Sequence, residues 1–256
     1  MQFNINIIVE LIQNYLWAFS RIGAMVMVMP VLGSNVIPAR IKLFAAVVIT
    51  LAVLPSLPII QDITVFSGMG LIVTLQQVLI GMAIGFIFQL VFQALIIGGQ
   101  VIAMQSGLGF ASMIDPGSGV SVPLISQFYL ILASLLFLAV EGHLLLIEFI
   151  AQSFHYIPIA QTGITTQHIG SILTFSTWIF KGAAVVALPA ILILLIANLA
   201  FGVMSRAAPQ LNIFAIGFPM TIIFGIIIMF LTLGQAMPKM HEIMVAGFDL
   251  ISTILR

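Results

Sequence analysis

The sequence predicts an all-α polytopic protein of strongly hydrophobic helical hairpins, with irregular and broken helices among them. Three observations predict this. Of 256 residues, 62% are hydrophobic and only 5% charged, and the mean hydropathy is +1.31, whereas soluble domains carry roughly 25% charged residues. Ionised side chains are missing from 63–114, 116–140, 182–205 and 207–238, and a helix needs roughly 20 apolar residues to cross a hydrocarbon core about 30 Å thick. Lipid cannot satisfy an open sheet edge, and the alternation of a barrel strand is lacking, so these runs read as helices.

In chain order the apolar runs place spans near 7–29, 43–60, 71–97, 124–147, 172–204 and 213–237. The first has no basic residue ahead of it, carries Glu10 and is followed by no clean small-residue cleavage site, so it reads as a retained helix and not a signal peptide. The second meets Pro55 and Pro58, which leaves a regular part of about twelve residues, too short to cross a bilayer unaided. The third would reach about 40 Å, longer than the hydrocarbon core. The fifth contains Lys181 and Pro189. Helices this uneven suit burial among other protein helices as well as in lipid. Residues 238–256 place Ile243, Ala246, Gly247, Leu250, Ile251 and Ile254 at helical spacing and predict a short amphipathic tail. No composition boundary or repeat divides the chain, so a single membrane-associated domain over 1–256 is expected. Arg40, Lys42 and Arg206 favour cytoplasmic loops after the first and fifth spans, with both termini outside.

Charge and composition exclude several functions. Seven basic and seven acidic side chains sum to zero, which leaves no basic surface for nucleic acid. The absence of cysteine removes disulfides, thiol nucleophiles and Cys-ligated zinc. Glu141, Glu148 and His155 recur every seven residues, about 10.5 Å of helical rise, too far apart for two of them to share one metal ion. No nucleotide motif and no Gly-x-Ser-x-Gly nucleophile is present. An enzyme, a metal site and a cofactor are therefore not expected.

The segment Gln105-Ser-Gly-Leu-Gly-Phe-Ala-Ser-Met-Ile-Asp-Pro-Gly117 is the most unusual. It is apolar enough for membrane depth, yet Gly107, Gly109, Pro116, Gly117 and Gly119 prevent a continuous helix. Asp115-Pro116-Gly117 fits a turn. Irregular backbone at such depth must be buried in protein or line a wet cavity, so 106–122 reads either as a pore-lining or plugging loop or as an ordinary interhelical turn. Ser106, Leu108, Phe110, Met113, Ile114 and Asp115 are its other candidate residues. Arg40, Glu141, His143, Lys181, Arg206 and Pro209 are candidates for assembly or orientation: Glu141 and His143 as a helix end at the interface, Lys181 as a snorkelling cation, Arg206 at a helix C-terminus before Ala-Ala-Pro209. Arg21 is a further cation in an apolar run, about 16 Å of helix from Glu10 and so unable to pair with it. Gly81-x-x-x-Gly85 permits close helix contact.

Taken in order, Pro38-Ala-Arg40, the Gln105–Gly117 segment, Glu141-Gly-His143, Ser153-Phe-His-Tyr-Ile-Pro158, Ala187-Leu-Pro189, Asn198-Leu-Ala-Phe-Gly-Val-Met-Ser-Arg-Ala-Ala-Pro-Gln-Leu-Asn212 and Phe214-Ala-Ile-Gly-Phe-Pro219 resemble the FliR family, the R/T subunits of the type III secretion export gate, on its flagellar branch. The resemblance covers nearly the whole chain. It implies a structural and gating subunit without catalysis, built into a helical export-gate assembly with FliP and FliQ subunits and contacting FlhB. Unfolded flagellar export substrates would pass through its lumen. It also implies a place in the bacterial inner membrane at the flagellar basal body, with part of the assembly raised to the periplasmic side, and a plug formed by 106–122. A secondary transporter for a small solute is the alternative. It would need a midplane site from paired broken helices, for which only Lys181 offers a hint.

Overall fold

The computed structural model describes residues 5–57, 67–110, 112–114, 121–160, 163–207 and 213–254. Eight helices account for most of them: α1 (Ile5–Val28), α2 (Ala39–Val53), α3 (Gly68–Gln105), α4 (Leu124–Ala139), α5 (Gly142–Tyr156), α6 (Thr166–Phe175), α7 (Trp178–Ala207) and α8 (Ile213–Ile254). Two three-residue strands, β1 (Ser112–Ile114) and β2 (Ser121–Pro123), pair between α3 and α4. The all-α expectation holds, with this short ladder as the exception.

Four helical stretches among the described residues are long and apolar enough to cross a membrane: Ala39–Ser56, Gly68–Gln105, Thr166–Met204 and Pro219–Ile254. The bent pair α4–α5 makes five if it counts as one span. The expected first span coincides with α1, whose earliest side chains lie outside the described residues. Within α3, 61% of the most apolar stretch is buried inside the chain, against 22% in the other three. Most of the apolar surface of those three therefore needs cover from outside the chain.

The boundaries differ from expectation where backbone chemistry intervenes. With neither proline nor charge between 68 and 105, α3 extends to 38 residues. The expected 124–147 span breaks at Val140–Glu141 because Glu141 adopts a left-handed conformation, φ 56°. Ser176 and Thr177 separate α6 from α7, while Pro189 lies inside α7 without ending it. Pro238 likewise lies within α8, which runs for 42 residues. Residues 238–254, where an amphipathic tail is expected, continue α8, and Met240, Ile243, Met244 and Ile251 are buried there.

The chain gathers into two compact units, each of non-contiguous segments. The first comprises Met1–Gln89, Phe137–Ser176 and Gly247–Arg256. Here α1 and the first half of α3 run parallel. Trp17 Nε1 donates to Thr74 Oγ1 at 3.1 Å; one turn on, Arg21 meets Gln77; then the backbone at Arg21 and Met25 meets Gly81 and Gly85. A Cβ at Gly81 would overlap the Arg21 carbonyl oxygen, and one at Gly85 would sit 3.0 Å from that of Met25. The Gly-x-x-x-Gly spacing is therefore the α1–α3 seam, where missing side chains let the backbones touch. α2 returns antiparallel to α1, pinned by Lys42 Nζ donating to the Gly33 carbonyl at 2.8 Å. Phe88, Phe137, Phe149 and Phe248 form an aromatic cluster, with Phe88 and Phe248 centroids 4.4 Å apart.

The second unit comprises Leu90–Leu136 and Thr177–Ala246. Its core joins Val91, Leu95 and Ile102 of α3, Ile125 and Ala133 of α4, Val186, Ala190 and Leu194 of α7, and Ile228 and Met240 of α8.

Candidate functional site

The irregular segment begins with an orderly helix end. Ser106 N–H donates to the Ile102 carbonyl at 3.0 Å, and Ser106 Oγ donates to that of Ala103 at 3.0 Å. Gly107 follows at φ 77°, its N–H donating to the Met104 carbonyl at 3.3 Å. This is a left-handed helix stop, which glycine adopts without the clash a Cβ would bring. The chain then makes a 3-10 turn at Leu108–Phe110. It enters β1, which pairs antiparallel with β2 in the register Ser112↔Pro123, Met113↔Val122, Ile114↔Ser121. Pro123 closes the ladder and α4 starts at the next residue. Asp115, Pro116 and Gly117, expected to form the turn, lie outside the described residues.

The root of this segment is held by two other helices of the same unit. Asn198 of α7 donates through Nδ2 to the Gln105 carbonyl at 3.4 Å, one of the acceptors that the end of α3 leaves open. Ser106 is fully buried, and it lies so close to α8 that a Cβ at Gly225 would overlap its Cβ. Sequence reasoning reaches neither contact. Asn198, an amide deep in an apolar run, is the available signal; nothing in the sequence marks Gly225. Just past β2, Ser126 Oγ, Gln127 Oε1 and Tyr129 OH are buried without a hydrogen-bond partner among the described residues. A buried polar atom left unpaired costs about 1–3 kcal/mol.

The other candidate residues are not gathered into one site. Arg40 is exposed in the first turn of α2, and Glu141 is exposed at the break before α5. His143 is half-buried, its Nδ1 without a partner among the described residues. Glu141 immediately precedes α5, and His143 is the second residue of that helix. Exposed Lys181 sets its ammonium 4.1 Å from the Trp178 ring centroid, a cation–π contact within its own helix turn. Arg206 is exposed in the last turn of α7, and Pro209 lies outside the described residues. Glu148 and His155 are both exposed on α5, with Glu148 Oε1 accepting from Gln152 Nε2 at 2.9 Å. Among the described residues no group of three or more His, Cys, Asp or Glu is placed to hold a metal ion.

The most developed polar constellation surrounds Arg21 in the first unit. Its side chain is fully buried. Nε donates to Gln77 Oε1 at 2.8 Å, and Nη2 donates to the same oxygen and, at 2.9 Å, to the Ile157 carbonyl. Nη1 donates to Ser153 Oγ at 3.0 Å, and the guanidinium carbon lies 4.1 Å from the Phe154 ring centroid. No carboxylate takes part among the described residues. Three of these contacts come from the Ser153-Phe-His-Tyr-Ile-Pro158 motif, to which sequence spacing assigns no role.

The family of bacterial export proteins, family 1, matches residues 12–246 of the chain. The flagellar biosynthetic protein FliR of Escherichia coli (strain K12) is 38% identical over 241 residues, covering 94% of this chain and 92% of that protein. The flagellar biosynthetic protein FliR of Pectobacterium carotovorum subsp. carotovorum is 37% identical over 255 residues, covering 100% and 97%. That of Aquifex aeolicus (strain VF5) is 34% identical over 225 residues, covering 88% and 86%.

Proposed function

Since this chain belongs to the bacterial export proteins of family 1, and is a membrane component of the flagellar type III export apparatus, we propose that it is a structural and gating subunit of the export gate. It carries no catalysis of its own. FliP and FliQ subunits and FlhB are its partners, and unfolded flagellar proteins are its cargo. Its place is the bacterial inner membrane at the flagellar basal body, with part of the assembly raised towards the periplasm. The apolar surface that α2, α6–α7 and α8 leave uncovered supports such partners, because protein neighbours can cover helices too short or too long for a bilayer.

The observation that carries the gating reading is the way the segment after α3 is built. Its root is fixed by Asn198 and by the close approach of Gly225 to Ser106. Beyond that root, among the described residues, a three-pair ladder holds it. A plug needs a firm base and a body that a passing polypeptide can displace. Leu108, Met113 and Ile114 give the segment the apolar composition of a filler that does not bind cargo tightly. Deleting 112–122 is expected to leave recovery of the complex with P and Q subunits intact and to raise ion leak across the inner membrane, read as conductance or as growth inhibition on overexpression. A complex that assembles normally and stays as ion-tight as the parent would overturn the plug assignment.

A further inference from the structure

We propose that Arg21 is an intrachain lock that ties α1, α3 and the end of α5 into one body, and that it closes within the single chain before any partner docks. Every donor and acceptor in the cluster belongs to this chain, and the side chain has no exposed surface. The guanidinium is therefore covered and bonded by residues of this chain.

The cluster answers how a permanent cation survives burial without a carboxylate. Arginine stays ionised at any physiological pH. Four partial negative charges face it, the first being the Ser153 hydroxyl oxygen that accepts from Nη1. The Gln77 side-chain carbonyl accepts two N–H groups, Nε and Nη2, on its single oxygen. The Phe154 ring presents its face. The Ile157 carbonyl lies just past the last turn of α5, where the helix dipole concentrates negative potential. Pro158 comes next, so no further helical turn competes for the carbonyls at this end. Ser153 and Phe154 lie in that same last turn, so the motif 153–158 is a receptor for one guanidinium.

The lock also orients the chain beyond α5. Ile157 lines a small apolar cavity with Ile80, Ile84, Ile164, Ile172 and Ile251. Fixing its carbonyl to Arg21 sets the direction in which the chain leaves α5 towards α6.

Arginine is required by geometry, because one planar fork on α1 reaches both α3 and the end of α5, with separate N–H groups for each, and a lysine ammonium cannot. The test is hydrogen exchange on the full-length chain, alone in detergent and in the complex with its co-expressed partners. With Arg21→Lys, amides of 153–160 are expected to exchange at least tenfold faster in both settings, while amides of α7 stay unchanged. With Gln77→Glu, which keeps the accepting oxygen, 153–160 stay as protected as in the parent. Parental protection of 153–160 in Arg21→Lys would overturn the proposal, as would protection that appears only in the complex. If the lysine variant yields no folded chain, Ser153→Ala decides: faster exchange confined to the end of α5 supports the lock, and no change there refutes it.

Discussion

Arg21 and Gln77 meet as a guanidinium and a neutral amide: Nε and Nη2 of the arginine converge on one carbonyl oxygen of the glutamine, 56 residues away in the sequence. The pair keeps a net positive charge inside an apolar body. Such a charge tolerates the loss of its acceptors poorly, and that asymmetry yields the first expectation.

Gln77→Leu leaves the guanidinium buried with two N–H groups unpaired. Leaving a buried donor without its acceptor costs about 1–3 kcal/mol, and more when the donor is charged. The variant is expected to unfold at markedly lower temperature in detergent, whereas Gln77→Glu holds or exceeds the parent. Thermal unfolding monitored by circular dichroism distinguishes them; equal stability of the Leu variant and the parent would refute this account.

At the α1–α3 seam, Gly81→Ala places a methyl group against the Arg21 backbone. Overpacking of this kind costs about 1–3 kcal/mol. The same change at Gly234, which has open space around it, is expected to be neutral or slightly stabilising. Comparing the two midpoints of thermal unfolding separates helix contact from helix propensity.

Tyr129 holds a buried hydroxyl without a partner among the described residues. Removing the hydroxyl discards an uncompensated desolvation cost, so Tyr129→Phe is expected to raise stability by up to about 1 kcal/mol. A clear loss would show that the hydroxyl is satisfied in the assembled protein, for instance by ordered water or by a neighbouring subunit.

Gly107→Val forces a β-branched side chain into φ near 77°, a strain of about 1–3 kcal/mol. Asn198→Leu removes the amide from the open carbonyl of Gln105. Both changes loosen the root of the segment after α3. Both are expected to increase ion leak with the complex still recoverable, and a tight, normally exporting Gly107→Val complex would contradict the reading.

Arg206 stands in the last turn of α7, where a cation is worth about 0.3–1 kcal/mol against the helix dipole. Arg206→Ala is expected to lower recovery of the complex and Arg206→Lys to be tolerated. Failure of the lysine variant would reveal a directional guanidinium bond to a partner.

Much is legible from the sequence because it depends on local composition or spacing. The absence of charge over long runs determines the helical, membrane-associated class, since no other backbone satisfies itself in lipid. Pro55 stops α2 near where a missing N–H must stop a helix, and glycine spacing in 81–85 locates a helix contact. The clustered glycines and prolines of 105–123 announce a break in helix. The family motifs, read in order, announce the export apparatus.

Other features depend on partners far apart in the chain. Pro189 reads as an irregularity of the fifth span, yet α7 continues through it, as α8 does through Pro219 and Pro238, because packing along a long apolar helix outweighs one missing hydrogen bond. The β1–β2 ladder is invisible in the sequence because a three-residue strand carries too short a pattern to read. Arg21 looks like a cation in search of a carboxylate ten or more residues away. Only the folded chain brings Gln77, Ser153, Phe154 and the Ile157 carbonyl around it. The sequence by itself determined which segments leave water, since transfer from water is a sum over local side chains. The tertiary structure alone decided which polar groups remain satisfied there, because a buried hydrogen bond requires two groups in register across space, and no local pattern encodes that distance.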